Sequence, residues 1–203
     1  MKTTLILIRH GETNKNVNKS LHATDDPEKL NDTGRKQIEK TVARLNEYLP
    51  SKVYSSKEKR ALQSAKIVAK SLTIPFEEIE RMQERNWGIF TGKPWEDVKK
   101  VLDLMSLEER YDYIPEGGES WRTFETRLID AVKKLVKNNE GKSIVVMTHG
   151  GAIRALMPYL LNIPKEESFK YDPDNASFTV FNYEDEKFKS VLVNDTSHLK
   201  DEN

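Results

Sequence analysis

The sequence predicts an α/β fold: a three-layer α/β/α sandwich around a mostly parallel central sheet with an antiparallel edge strand. Three observations carry that prediction. Leu5-Ile6-Leu7-Ile8 and Ile144-Val145-Val146-Met147 are short, unbroken apolar runs, and a His-Gly pair soon follows each. Such runs read as strands buried on both faces, as in a parallel sheet. Between them lie amphipathic segments of helical period, and strands alternating with such helices build layered α/β domains. Near the C-terminus, Phe178-Thr179-Val180-Phe181 and Ser190-Val191-Leu192-Val193 are joined across Tyr183 to Lys187, as an antiparallel pair at the sheet edge.

In chain order, Asn14 to Asp32 is polar and irregular, with Asp25-Asp26-Pro27 as a turn. A helix follows, with Ile38, Val42, Leu45 and Leu49 on one face and Pro50 as its stop. Val53-Tyr54 is a short strand. Ser55-Ser56-Lys57-Glu58 fits a capping box opening the next helix, whose apolar face is Ala61, Ala65, Val68 and Leu72. Phe76 to Glu80 reads as an edge-like strand. Met82 to Pro94 contains Gly88 and Gly92 and has no clean period, so it reads as a loop. Trp95 to Met105 and Leu107 to Tyr113 read as helices, and Pro115 to Ser120 as a turn. Trp121, Phe124, Leu128, Val132 and Leu135 mark a longer helix that Gly141 stops. A last helix opens at Ala152-Ile153-Arg154.

With 203 residues the chain is sized for one domain, so residues 1–203 are read as a single unit. The charged fraction is 33% and the net charge zero, so no nucleic-acid or membrane partner is expected. Any anion site must be built locally. There is no cysteine, which excludes a disulfide framework and thiolate chemistry and fits a reducing compartment. The N-terminal apolar run is too short for a membrane span and lacks a signal-peptide cleavage site. A soluble, cytoplasmic protein is expected.

The two apolar strands end alike, in Arg9-His10-Gly11 and Thr148-His149-Gly150. Of the four histidines, two take this same position. Ligands of open α/β sheets bind at the carboxyl ends of strands. If the two strands are neighbours, both imidazoles enter one pocket with Arg9 beside them. That set suits an anion, above all a phosphoryl group. A neutral imidazole attacks phosphorus and a protonated one stabilises its oxygens. The glycine after each histidine lets backbone N–H groups approach a ligand. A lone histidine is more often a core residue bonded to a carbonyl; the matched pair points to function. A metal site recruiting His22 and His198 is the weaker reading, because no H-x-x-x-H or carboxylate spacing supports it.

Arg9-His10-Gly11-Glu12-Thr13 resembles the signature of the histidine phosphatase superfamily, which includes cofactor-dependent phosphoglycerate mutase. Leu30 to Gly34 resembles that family's L-T-x-x-G. Ser55-Ser56 through Arg60-Ala61, Gln63, Ser64 and Ala65 resembles its S-S-x-x-x-R-A-x-Q-T-A. Met82 to Gly88 resembles its L-x-E-x-x-x-G, Pro115 to Ser120 its P-x-G-E-S, and Thr148 to Gly151 its second-histidine motif. These motifs stand in the family's order over most of the chain. The resemblance implies that His10 is the nucleophile that becomes phosphohistidine. It implies that Arg9, Arg60 and His149 bind phosphoryl oxygens, that Asn16 contacts phosphate, and that Glu84 donates the proton. Gly150, within the second-histidine motif, is placed at the substrate. No metal and no organic cofactor are implied.

Each implied role has a physical reason. Phosphoryl transfer spreads charge over equatorial oxygens, so fixed Arg and imidazolium donors are the main resource. His10 must be neutral to attack while His149 is best protonated, so their pKa values are expected to be pushed apart. Glu84 should be protonated to neutralise the leaving alkoxide and then ionised to activate water. Burial beside an anionic phosphate would raise its pKa in that direction. Taken singly the residues read more blandly. Arg60 follows Lys57 and Lys59 on a charged helix start, Ser56 reads as a helix cap, and Trp87, Trp95 and Trp121 read as core or lid packing.

Two departures from the family pattern bear on specificity. Many members carry Arg-x-Gln-Gly where this chain reads Asn18 to Asp25, so Lys19 or His22 becomes a candidate for the missing contact. Between Lys93 and Pro115, in a lid region at about 85–115, the only basic residues are Lys99, Lys100 and Arg110. Mutases of the family carry a more basic segment there. The expected function is therefore a metal-independent phosphomonoester hydrolase acting on a small phosphorylated metabolite. The alternatives are a cofactor-dependent phosphoglycerate mutase and a catalytically idle phospholigand-binding module.

Overall fold

The computed structural model describes residues 1–24 and 26–200. Its strands are β1 (Thr3–Arg9), β2 (Lys52–Ser55), β3 (Phe76–Glu78), β4 (Ser143–Thr148), β5 (Phe178–Glu184) and β6 (Lys187–Asp195). Its α-helices are α1 (Asn14–Val17), α2 (Asp32–Leu45), α3 (Lys59–Leu72), α4 (Trp95–Leu102), α5 (Leu107–Asp112), α6 (Trp121–Asn138) and α7 (Gly150–Leu161).

β1 runs through the middle of the sheet and is buried on both faces, as its apolar run requires. Leu5 and Leu7 face α6 and α7, while Ile6 and Ile8 face α2 and α3. The strand order is β3-β2-β4-β1-β5-β6. The first four of these are mutually parallel, and β5 and β6 run antiparallel at the far edge. This is the predicted three-layer α/β/α sandwich. The layer between the sheet and α2 and α3 is filled by Ile38, Leu45, Ala61, Ala65 and Val68. The opposite layer takes Phe124, Leu128, Val132, Ile153 and Leu156.

Several boundaries differ from the sequence reading for local reasons. Thr13 caps a short α1 through Asn16, inside a stretch expected to be irregular. The expected turn at Asp25 to Pro27 lies partly outside the described residues, since Asp25 is not among them. α2 ends at Leu45 and not at Pro50. Residues 46–48 tighten into a 3₁₀ turn, and Leu49 takes a positive φ of 45° and is 82% exposed, so it leaves the apolar face. Asn139 ends α6; Gly141, at φ 74°, comes after the stop and turns the chain into β4. The β5–β6 turn shrinks to Asp185-Glu186. Both have positive φ, as hairpins with a primed turn require. α7 starts at Gly150, two residues earlier than expected, with His149 as its N-cap.

The stretch from 85 to 120 has a small core of its own, formed by Trp87, Phe90, Val98 and Leu102. Arg85 stacks on Trp87, its guanidinium 4.3 Å from the ring, and lies 5.8 Å from Trp121. The tryptophans are therefore packing residues. Residues 19–21 of the unusual loop zip onto this subcore. Leu21 N–H donates to the Lys93 carbonyl, Gly92 N–H to Leu21, and Trp95 N–H to Lys19.

Candidate active site

The pairing of β1 with β4 places Arg9 opposite Thr148, so His10 and His149 leave adjacent strands at the same level. Their ring centroids lie 5.3 Å apart. His10 is 2% exposed. Its Nδ1 sits 2.7 Å from the Gly11 carbonyl, which can only accept, so Nδ1 carries the proton. Nε2 is then a lone pair, and Arg60 Nε donates to it at 3.2 Å. Burial, the Arg60 guanidinium, His149 and Arg9 all hold the His10 pKa well below the usual imidazole range. The ring is neutral with Nε2 available, as a phosphoryl acceptor must be.

Arg60, in the first turn of α3, is fully buried rather than part of a solvated face. Its Nη1 and Nη2 have no hydrogen-bond partner among the described residues, and the same holds for Arg9 Nε and His149 Nδ1. The other Arg9 contact is Nη1 to the Pro173 carbonyl at 2.6 Å. A buried polar group left unpaired costs about 1–3 kcal/mol. The four belong to the side chains that surround His10, and donors of this kind suit the oxygens of an anion.

Ser55-Ser56-Lys57-Glu58 does not form the expected capping box. Glu58 is the N-cap of α3 by backbone geometry, yet its side chain makes no cap bond. It turns inward, where Oε2 lies 3.1 Å from His149 Nε2, and Ser56 Oγ lies 2.7 Å from the same nitrogen. Ser56 is thus a partner of His149 and not a helix cap. Glu84 reaches the site from the loop after β3. Its Oε2 accepts from Gly151 N–H at 2.9 Å, in the first turn of α7, and its Oε1 from Arg85 N–H at 2.8 Å.

Asn16 also comes to the site. Its Oδ1 accepts from Thr13 and from Asn175 Nδ2, which leaves Nδ2 as the free donor of the carboxamide. Gly11 acts differently from expectation. Gly11 N–H donates to Ser64 Oγ, so it does not face a ligand. A Cβ at Gly11 would sit 2.3 Å from the Gly34 carbonyl oxygen, so this glycine serves close backbone packing. Gly150 packs on Arg9, with a built Cβ 3.2 Å from Arg9 Nε.

Of the two candidates for the missing loop contact, the structure brings in one. His22 is buried, with its ring 5.9 Å from that of His10, and its Nε2 donates to Thr13 Oγ1 at 3.0 Å. Burial, Arg60 and His149 lower its pKa to about 2. Lys19 stays exposed. His198 is remote from the site, packed edge-on against Phe178 and bonded to Thr41. Among the described residues no group of three or more His, Cys, Asp or Glu side chains is arranged to hold a metal ion. No helix among them is long and apolar enough to cross a membrane.

Comparison with known proteins fits this geometry. A metal-independent phosphoserine phosphatase of Arabidopsis thaliana is 34% identical over 97% of this chain and 83% of its own length. A 2,3-bisphosphoglycerate-dependent phosphoglycerate mutase of Thermoplasma acidophilum is 31% identical over 88% of this chain and 86% of its own. Among solved structures, a phosphoserine phosphatase of Entamoeba histolytica in complex with 3-phosphoglyceric acid superposes with a TM-score of 0.84 at 25% identity. That match covers 98% of this chain and all of the other. The sequence model of the histidine phosphatase superfamily, branch 1, matches residues 5–196, from the first buried strand to the end of the last, and the chain belongs to that superfamily.

Proposed function

We propose that this phosphatase is a metal-independent phosphomonoester hydrolase that works through a phosphohistidine at His10 on a small phosphorylated metabolite. Residues 1–203 then form one catalytic domain, with about 85–115 as its lid, and a cytoplasmic location fits the absence of cysteine. The observation that carries the reading is the cradle of unpartnered Arg60, Arg9 and His149 nitrogens around a neutral His10. In the first step His10 Nε2 bonds to phosphorus and the bond from phosphorus to the ester oxygen breaks. The Glu84 carboxyl gives its proton to the departing alkoxide. In the second step water attacks the phosphohistidine, Glu84 takes the water's proton, and the N–P bond breaks to release inorganic phosphate. Arg9, Arg60, His149 and Asn16 hold the three equatorial oxygens throughout.

A cavity of about 220 Å³ opens beside Glu84, lined by Thr24, Gln83, Asn86, Glu119 and Arg127. A short hydrophilic substrate, of the class named for the phosphoserine phosphatase relative, is the reading that similarity supports. Water is the favoured acceptor over a second phosphorylated molecule. The three basic residues between Lys93 and Pro115 are ion-paired inside the lid, Lys99 and Arg110 both to Asp103 and Lys100 to Asp97.

Turnover of an aryl phosphate in the presence of a chelator, with His10→Ala alongside, tests the reading. Wild-type turnover with a covalent phosphoryl label, alkali-stable, acid-labile and absent from His10→Ala, is expected. Equal rates in the two proteins would sink the mechanism. Isomerisation of 3-phosphoglycerate without phosphate release would point to the mutase. Phosphate binding without any turnover would point to an idle binding module.

A further inference from the structure

We infer that Glu58 is a positioning residue for the reaction, a buried carboxylate that aims His149 at the phosphoryl site and ties it to the backbone of the acid Glu84. The inference rests on the mechanism proposed above, in which His149 binds phosphoryl oxygens. In the segment resembling S-S-x-x-x-R-A, residue 58 falls on one of the unspecified positions. Its side chain is 1% exposed, as is that of His149. The two carboxylate oxygens divide their work. Oε2 meets His149 Nε2 at 3.1 Å, and Oε1 accepts from Glu84 N–H at 3.1 Å.

A carboxylate can only accept, so His149 Nε2 carries a hydrogen, shared between Glu58 and Ser56 Oγ. That fixes the ring orientation and leaves Nδ1 as the atom without a partner in the cradle. A second hydrogen-bonded group that fixes tautomer and orientation is a recurring way to prepare an imidazole. The cost is visible in the helix. Glu58 stands at the N-cap of α3, where a carboxylate would ordinarily bond the first-turn N–H groups, and it makes no such bond. The charge is also placed with purpose. His149 is faced by His10, just after β1, and by His22 from the following loop, with Arg60 of α3 and Arg9 of β1 acting on the same His10 ring and Glu84 bonded to Gly151 two residues on. Glu58 is the carboxylate that touches it. Burial pushes the Glu58 pKa up, but His149, Arg60 and Ser56 outweigh burial and hold it below the usual carboxylate range. The carboxylate is therefore charged in the fold and stands as the acceptor for His149 Nε2–H.

The test has one arm that needs no variant of Glu58 and no turnover. Long-range ¹H–¹⁵N correlation on the histidine-labelled wild-type protein, with the His149 signals assigned by their loss in His149→Gln, should show a proton on Nε2. A ring protonated on Nδ1 alone overturns the inference, whether or not the protein hydrolyses phosphate esters, so the two readings fail separately. The second arm compares wild type with Glu58→Gln and Glu58→Asp on an aryl phosphate. Glu58→Gln keeps the shape and removes the charge. It should lower kcat/KM about 10- to 100-fold, a positioning effect. Glu58→Asp, which keeps a carboxylate, should recover part of that loss. A folded Glu58→Gln protein with kcat/KM within twofold of wild type overturns the inference.

Discussion

Arg60 Nε donates a hydrogen bond of 3.2 Å into the His10 Nε2 lone pair, the same electrons that would attack phosphorus. In the proposed mechanism the resting site therefore holds its nucleophile ready and occupied. On that mechanism attack requires the bond to give way, while Nη1 and Nη2 of the same guanidinium, unpartnered among the described residues, would take up phosphoryl oxygens. Lysine offers a point charge where arginine offers a planar fork. Arg60→Lys is expected to lower kcat/KM for an aryl phosphate by about 10²-fold or more, the usual loss when a preorganised oxyanion donor is removed. A steady-state loss smaller than fivefold would remove Arg60 from the catalytic set.

Glu84 has a narrower job, and leaving-group chemistry isolates it. Its carboxylate is clamped between Gly151 N–H and Arg85 N–H, so it is aimed before substrate arrives. Glu84→Gln should lower kcat/KM on an alkyl phosphate by about 10²–10⁴-fold, the range for general acid catalysis. On an aryl phosphate whose phenol leaves without a proton, the loss in kcat/KM should be under about tenfold. Equal losses on the two esters would mean that Glu84 does not protonate the leaving group.

Two glycine-to-alanine changes separate packing from chemistry. A Cβ at Gly11 meets the Gly34 carbonyl oxygen at 2.3 Å, a backbone atom that cannot step aside. A Cβ at Gly151 meets Glu84 Oε1 at 2.2 Å, the end of a side chain that can. Gly11→Ala should cost about 1–3 kcal/mol of stability by urea unfolding, as overpacking does. Gly151→Ala should stay within about 1 kcal/mol of wild type but lose at least tenfold in kcat/KM, because the acid is displaced. The opposite pattern would mean that the Glu84 clamp is structural.

What the sequence discloses follows the range of the interactions involved. β1 and β4 are legible because four consecutive apolar residues state burial on both faces, and α3 and α6 because their apolar residues repeat at helical spacing. The pairing of His10 with His149 follows from their like positions at strand ends. Arg60 and Glu84 are different. Nothing in their neighbourhoods marks them, and only the motifs single them out. Glu58 misleads because Ser-Ser-Lys-Glu before a helix states a cap locally, whereas its partner His149 lies 91 residues away. His22 is no more than a candidate in the sequence because its burial depends on residues 19–21 pairing with 92–95. The end of α2 is hidden because a 3₁₀ turn and a left-handed Leu49 leave no mark in the hydrophobic period.

The buried imidazoles give the fold a pH dependence whose sign is set by their protons. In the unfolded chain His10 and His22 take up protons as pH falls through about 6.5. In the fold both refuse them, His10 with its pKa well below that value and His22 with its pKa at about 2. Stability from these two residues is therefore complete above pH 6.5 and is lost progressively on acidification. Each contributes a slope of up to about 1.4 kcal/mol per pH unit once its unfolded form is protonated. His198, also lowered by burial, acts in the same sense. Glu58 and Asp26 are depressed too, but they act below their ordinary values of 4.5 and 3.8, outside this window. Between pH 6 and 5, without phosphate in the buffer, the unfolding free energy should therefore fall by at least about 2 kcal/mol per unit. His22→Gln should flatten that slope by about one proton. Urea titrations at several pH values measure both slopes. Parallel lines for the two proteins would mean that His22 is not held neutral in the fold.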